Sequence, residues 1–402
     1  MTGELGKDLL RQNNRLPSYA IFALILGVFL RIFAVFSAPV HSQSDSFPAY
    51  NDEASHLNHV LFRTYGTGQP EQRFSVTDGD ALVNGEVEYY QPPLYYQAMA
   101  LVVKVLPAGQ NLVWSLRLIS LMLWLMALYL ISISIRDTHL RGLLVVVGSL
   151  LGAGFIPSTT INNDALYGLA IGGIYYLSLK NRSFFDLVNL SLLVSVAIWI
   201  KLAALTLIPM VFVSIYIFNS ETRVFLKKSL LAVFVILWTT FPLWLQRIDV
   251  FGHPLSLGEG GGEHLGLPFR ELIVSVVLSL SQPWFEFWYS PWVKISVVLL
   301  FVLMAGLMTY GTILFRKKEK VLPSELKQYF FPIWGVGALF ATLGWIYYGV
   351  RFNQMETRLL LGAAPGLVVL LGWPVTLLES RFRTIIGWTL TGILAISFIS
   401  WS

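Results

Sequence analysis

Apolar and polar positions divide this chain into long apolar runs separated by short polar breaks. The runs fall at roughly residues 16–40, 112–135, 141–157, 163–180, 184–200, 202–218, 228–246, 293–315, 328–350, 358–378 and 384–401. A helix needs about 20 mostly apolar residues to cross the hydrocarbon core of a bilayer. The pattern therefore predicts an all-α polytopic integral membrane protein with about eleven spans. Two further apolar stretches, 92–106 ("PPLYYQAMALVVKVL") and 267–281 ("LPFRELIVSVVLSLS"), are short for a span. They predict interfacial or re-entrant helices. The first run follows Lys7, Arg11 and Arg15 and ends near "FSAPVHS", as a signal peptide would. It is longer than the usual 7–15-residue signal core, so it predicts a retained first span.

Composition agrees with this reading. Of the 402 residues 55% are hydrophobic and 13% charged, about half the roughly 25% typical of soluble domains. Mean hydropathy is +0.65. The net charge of +5 has a topological source. With the N-terminus in the cytoplasm, the inner segments hold Arg136 and Arg141, Lys180 and Arg182, Arg223 with Lys227 and Lys228, Arg316 to Lys318 with Lys320, and Arg381 with Arg383. That is the positive-inside pattern, and it removes the reason to read the charge as a nucleic-acid surface. The chain has no Cys, which excludes disulfides, thiolate metal sites and cysteine nucleophiles.

This topology leaves two large outer segments, 41–111 and 247–292, within a single module covering residues 1–402. Five of the six histidines lie in them, with most of the acids. The first contains "FPAYNDEASHLNHV" (47–60), with Asp52, Glu53, His56 and His59 inside eight residues. Three readings are open for it. Asp52 and Glu53 suit the first turn of a helix, where free N–H groups and the dipole favour anions. Asp52, His56 and His59 share a helix face and are donors a metal would accept. A carboxylate here is also a candidate base for a substrate hydroxyl. "PSTTINNDALYG" (157–168) sets Asp164 at the edge of the fourth span, as a cap, an anchor or a second acid beside the first. "VEYYQPPLYYQ" (87–97) is an aromatic belt or a sugar-stacking surface. Lys201 and Arg358 sit at span ends as snorkelling anchors or as partners for an anion such as phosphate. "GEGGGEHLG" (258–266) lacks the GK[ST] ending of a phosphate-binding loop and reads as a linker or a lid.

Taken in order, these segments resemble the GT-C membrane glycosyltransferases, which include protein O-mannosyltransferases and bacterial lipid A aminoarabinose transferases. "NDEASH" resembles the acidic motif of the first outer loop. "QPPLYYQ" is similar to the family's "HPPLYYW", with Gln91 and Gln97 replacing His and Trp. "LVWSLRLISLMLWL" is similar to "aRlpSal", and "INNDALYGLA" to the Asn-Asp motif of the second outer loop. "LLVSVAIWIKLAAL" resembles "G-lallTK-al", with Ile200 where Thr is common. "FEFWYSPW" resembles "sFWg-fGw". "METRLLLGAAPGLVVLL" resembles "gRYLLPalPalalll", with Leu359 for Tyr and Gly362 for Pro. The resemblance runs over about residues 20–375.

It implies a GT-C fold and transfer of a hexosyl or pentosyl group from a polyprenyl-phosphate donor to a glycan, lipid or protein acceptor. The site would face the extracytoplasmic side of a membrane such as the bacterial inner membrane. By the same resemblance Asp52 is the general base beside Glu53, and Asp164 assists. Arg358, Lys201 and Arg351 hold the donor phosphate. His56, Tyr95, Tyr96, Asn163 and Trp288 line the substrate site, with His59 mainly structural. A single displacement would invert the anomeric carbon. Some relatives use a divalent ion, so Mg²⁺ or Mn²⁺ on Asp52, Glu53 and Asp164 stays open. The alternatives are a lipid or glycan transporter, disfavoured by few buried charges in the spans and no inverted repeat, and a non-catalytic scaffold of a glycan-assembly complex.

Overall fold

A computed structural model describes residues 15–37, 48–66, 73–78, 81–86, 91–106, 109–150, 158–180, 183–219, 221–254, 299, 302–303, 305–313, 326–352 and 361–399. For 48–52, 73–78, 81–86, 110, 348–352 and 397–399 it describes the backbone alone. In chain order the elements are α1 (Ser18–Ser37), α2 (Pro48–Tyr65), β1 (Arg73–Asp78), β2 (Ala81–Glu86), α3 (Leu94–Val103), α4 (Gln110–Ser134), α5 (Thr138–Leu150), α6 (Asn163–Ser178), α7 (Phe184–Ile200), α8 (Ile208–Phe218), α9 (Thr222–Phe251), α10 (Gly335–Phe352), α11 (Ala364–Gly372) and α12 (Ser380–Ile399). Residues 305–313 are also helical.

Each expected span contains helical residues among the described ones. Ser18–Ser37, Asn111–Ser134, Thr222–Phe251 and Leu326–Tyr347 are individually long and apolar enough to cross a membrane. Three spans depart from plain α-helix. Lys201 is extended (φ −155°, ψ 126°), so α7 stops there and the chain resumes as a 3₁₀ turn, Leu202–Leu207, before α8. Leu326–Trp334 is a π-helix with Pro332 inside it, leading into α10. Proline has no N–H to give the i→i−4 ladder, and a π-turn is one way to absorb that loss. α11 ends in a second 3₁₀ turn, Trp373–Leu377. The stretch 92–106 forms the ten-residue α3, too short to span, and it packs on α2. The stretch 267–281 lies outside the described residues.

The first large polar segment adds one feature the periodicity reading passed over. β1 and β2 form an antiparallel hairpin from Arg73↔Glu86 to Asp78↔Ala81, and it packs against α2. Two strand-like runs separated by Gly79-Asp80 are a recognisable hairpin signal.

Apolar side chains face outward as well as inward. On α1, Ile21, Phe22, Ile25, Phe29, Ile32, Phe33 and Phe36 make an exposed stripe, with Phe29 65% exposed. The opposite face, Tyr19, Ala20, Ala23, Gly27, Arg31 and Val35, is buried. Lipid tails are as apolar as these side chains, so helix association in a bilayer relies on close packing of small residues and on polar contacts. Gly27 serves this at the α1–α5 contact, where a Cβ would collide with the Ser149 carbonyl. Gly172 does the same between α6 and α4: a Cβ there would lie 2.9 Å from the Ala127 carbonyl oxygen. A large cluster joins α2, α3, α4, α6, α7 and α8 to α10, and a smaller one joins α1, α5 and α12.

At one end of the bundle Asp137 accepts from the Leu140 N–H at 2.7 Å and pairs with Arg383 at 3.3 Å. Arg383 also donates to the Thr376 and Leu378 carbonyls, which fixes the start of α12. The candidate chemistry collects at the other end.

Candidate functional site

The site is organised by the segment from Ser158 to Ala165, which leads into α6. Its polar composition reads as a loop, yet every residue in it is buried. Buried backbone and amide groups need partners. They find them in four other parts of the chain. Ser158 Oγ accepts from Arg31 Nε of α1 at 2.8 Å. The Ile161 N–H donates to Glu53 Oε1 of α2 at 2.9 Å. Asn163 Nδ2 donates to Gln91 Oε1 at 3.2 Å and to the Ile200 carbonyl, at the end of α7, at 3.3 Å. Asn162 caps α6 by accepting the Asp164 N–H at 2.7 Å.

Two ion pairs flank this segment. Glu53 (2% exposed) meets Arg117 of α4 (0%) in a fork: Nε to Oε1 at 2.8 Å and Nη2 to Oε2 at 2.6 Å. Arg117 Nη1 donates to the Val35 carbonyl at the end of α1 at 3.1 Å. Bidentate charge-assisted pairs of this kind fix orientation as well as adding energy. This one locks α1, α2, α4 and the 158–165 segment together. In the second pair the Lys201 ammonium donates to Asp164 Oδ1. The α7 break at Lys201 brings this cation to the first turn of α6, where Asp164 also meets the positive end of the helix dipole. A third cation, Arg31, lies 4.2 Å over the Trp124 ring and also donates to the Gly27 carbonyl at 3.1 Å and to the Ser149 carbonyl.

α2 and α3 add an aromatic stack. His56 Nδ1 and Tyr96 Oη are 2.7 Å apart. His59 stacks on Tyr96 with ring centroids 3.7 Å apart, and Arg63 Nε donates to His59 Nε2 at 3.3 Å. Burial lowers the Arg63 guanidinium from its ordinary pKa. Tyr95 packs edge-on to Tyr96.

Among the residues named from sequence, Glu53, His56, Tyr95, Tyr96, Asn163, Asp164 and Lys201 gather in this one region. Asp52 belongs to α2, one position before Glu53, with its backbone alone described. Arg351 is likewise described only by its backbone, near the end of α10. Arg358 and Trp288 lie outside the described residues, as does "GEGGGEHLG". Tyr95 and Tyr96 are fully buried, so in this conformation neither ring offers a face to a sugar.

Sequence reasoning passed over Arg117 and Arg31. Both are buried cations inside apolar spans, which corrects the expectation that the spans carry few buried charges. An ionisable residue within an apolar run was the available signal, and Arg117 is the arginine of "SLRLIS".

Of the carboxylates named for a divalent ion, Glu53 and Asp164 both face cations, and the Asp52 side chain lies outside the described residues. Both Glu53 oxygens face guanidinium donors, and one Asp164 oxygen faces an ammonium. No cluster of three or more metal-ligating side chains occurs among the described residues.

No protein-family model matches the chain, and no curated protein sequence matches it. Solved structures do. ArnT from Cupriavidus metallidurans in the apo state aligns with a TM-score of 0.55 at 12% identity, over 91% of this chain and 62% of ArnT. The same protein bound to undecaprenyl phosphate aligns with a TM-score of 0.54 at 12% identity, with the same coverage of both chains. The Archaeoglobus fulgidus oligosaccharyltransferase, in a complex with Zn and sulfate, aligns with a TM-score of 0.45 at 13% identity, over 95% of this chain and 53% of that one. This chain thus spans 62% of the length of ArnT. The fold is GT-C, the polytopic fold of membrane glycosyltransferases, and the protein is an integral membrane protein.

Proposed function

We propose that this protein is a GT-C glycosyltransferase that moves a hexosyl or pentosyl group from a polyprenyl-phosphate donor to a glycan, lipid or protein acceptor. The observation that carries the reading is the convergence of the Glu53–Arg117 and Asp164–Lys201 pairs on the buried 158–165 segment, at one end of a GT-C bundle. Likeness to a structure that holds undecaprenyl phosphate supports the donor class.

Asp52 is the general base. As the acceptor oxygen attacks the anomeric carbon, its proton passes to the Asp52 carboxylate. The bond from that carbon to the phosphate oxygen breaks, and the electron pair leaves with the polyprenyl phosphate. One displacement inverts the carbon. A positioned base contributes typically 10²–10⁴-fold. Charge builds on the leaving phosphate, where a preorganised cation is worth several kcal/mol. Lys201, with Arg358 and Arg351, supplies that charge. Glu53 acts as a strut: its pair with Arg117 holds the first turn of α2, and so Asp52, against the bundle. Asp164 holds Lys201 until the donor phosphate arrives. No step runs through a divalent ion. The N-terminus lies in the cytoplasm and the site opens on the extracytoplasmic face, in a membrane such as the bacterial inner membrane.

The test is purified protein in nanodiscs, incubated with a panel of polyprenyl-phosphate sugars and assayed for transfer or for release of polyprenyl phosphate. Turnover of at least one sugar is expected. Folded protein that turns over none of them overturns the reading.

A further inference from the structure

α7 ends with a backbone carbonyl that its own helix does not use. In an unbroken α-helix the Ile200 carbonyl would accept from the Ala204 N–H, four residues on. Here the Ala204 N–H donates to the Lys201 carbonyl at 3.1 Å, in the 3₁₀ turn that follows. The Ile200 carbonyl accepts from Asn163 Nδ2 instead, at 3.3 Å. We propose that Asn163 is a positioning residue: its amide caps the broken end of α7 and so holds the Lys201 ammonium on the first turn of α6. Its effect on the reaction rests on Lys201 as the cation for the donor phosphate.

Three observations add to this. The first is that the Asn163 amide has one orientation. A backbone carbonyl only accepts, so the atom facing Ile200 is the nitrogen. Its second N–H goes to Gln91 Oε1 at 3.2 Å. Both N–H groups are committed to protein and the residue is buried, which suits a strut better than the substrate contact implied by resemblance.

The second is a two-point grip. Adjacent residues of α6 hold adjacent residues at the end of α7: Asn163 takes the Ile200 backbone and Asp164 the Lys201 side chain. The Tyr167 ring, one turn further along α6, lies 6.0 Å from the Lys201 ammonium and backs the same position. The third is access. The Lys201 side chain is 12% exposed and that of Asp164 1%, so an incoming anion meets the ammonium first. An unpaired buried carbonyl is costly, and re-forming helix through Lys201 would relieve it. That change would turn the ammonium away from Asp164.

The experiment uses the full chain in nanodiscs. Lysines are pulse-labelled with an amine-acetylating reagent and read residue by residue by mass spectrometry, with the exposed Lys227 as internal reference. Asn163→Ala removes both hydrogen bonds. It is expected to speed labelling of Lys201 about tenfold relative to Lys227, the effect of one lost buried hydrogen bond on a local opening equilibrium. The melting temperature should stay within a few degrees of wild type. Asn163→Ser, too short to reach the Ile200 carbonyl, should give the same result and keeps the test open if the alanine variant does not fold. Labelling of Lys201 at the wild-type rate in either folded variant overturns the proposal, since a packing role confined to Asn163 leaves Lys201 undisturbed.

Transfer kinetics with a working polyprenyl-phosphate sugar give the second readout. Asn163→Ala should lower kcat/KM about tenfold, and should cost nothing further in a Lys201→Gln background, because it acts through Lys201. An equal loss in both backgrounds also overturns the proposal. Undecaprenyl phosphate should slow the labelling of Lys201 in the wild type. If Asn163→Ala frees Lys201 while undecaprenyl phosphate gives no protection, the grip on Lys201 stands and its phosphate role fails.

Discussion

Glu53→Gln separates a strut from a base. Glu53 and Arg117 are both buried, and Arg117 donates to Glu53 through Nε at 2.8 Å and Nη2 at 2.6 Å. Gln keeps one oxygen for Arg117 Nε and the Ile161 N–H. Its amide nitrogen then sits donor-to-donor against Nη2, and the guanidinium is left as an unpaired buried charge. Removing one partner of a buried ion pair costs about 3–5 kcal/mol. The retained oxygen sets Glu53→Gln near the lower end, ~3 kcal/mol, which is more than a hundredfold in the unfolding equilibrium. Replacing both partners removes the uncompensated charge, so Glu53→Leu with Arg117→Met should cost less than either single change. The assay is equilibrium unfolding of each variant in mixed micelles, titrated with a denaturing detergent. The reasoning is refuted if Glu53→Gln unfolds within about 0.5 kcal/mol of wild type, the range of an ordinary surface change. Glu53 would then be free to act as the base itself.

Lys201→Gln should lower kcat/KM for a polyprenyl-phosphate donor by roughly 10²-fold, a few kcal/mol of lost phosphate stabilisation, as read by steady-state transfer kinetics. Asp164→Asn should cost less, because it leaves the ammonium in place. Gly27→Val should destabilise by about 1–3 kcal/mol in the same detergent titration, since its side chain meets the Ser149 carbonyl and pushes α1 from α5. Gly168→Ala serves as the control: it faces open space in α6 and should be neutral or slightly stabilising. Transfer activity should survive EDTA, with Glu53 and Asp164 already held by cations, whereas loss restored by Mn²⁺ would put a metal on Asp52 and its neighbours.

Run length carried the bundle into view, because a bilayer demands long apolar helices whatever they pack against. The breaks inside spans were less visible. Pro332 marks one, whereas the parting at Lys201 was in view, since the expected spans 184–200 and 202–218 already separate there. The hairpin was legible around Gly79-Asp80, in a polar segment of a chain otherwise dominated by apolar helical runs. At the site, residue types pointed to Glu53, His56, Asp164 and Lys201. Their partners did not show, since Arg117 is 64 residues from Glu53 and Lys201 is 37 from Asp164. The burial of 158–165 was hidden for the same reason. Its polar groups are satisfied by α1, α2, α7 and Gln91, so local composition reads as solvated loop while tertiary structure makes it core.

The central claim is that Asp52 takes a proton from an acceptor during sugar transfer from a polyprenyl phosphate. Asp52→Asn keeps the size and helix position of the residue and removes its basicity. Its transfer rate, measured beside wild type with the same donor in proteoliposomes, should fall by roughly 10²–10⁴-fold while the melting temperature holds. A variant that transfers sugar at the wild-type rate contradicts the account.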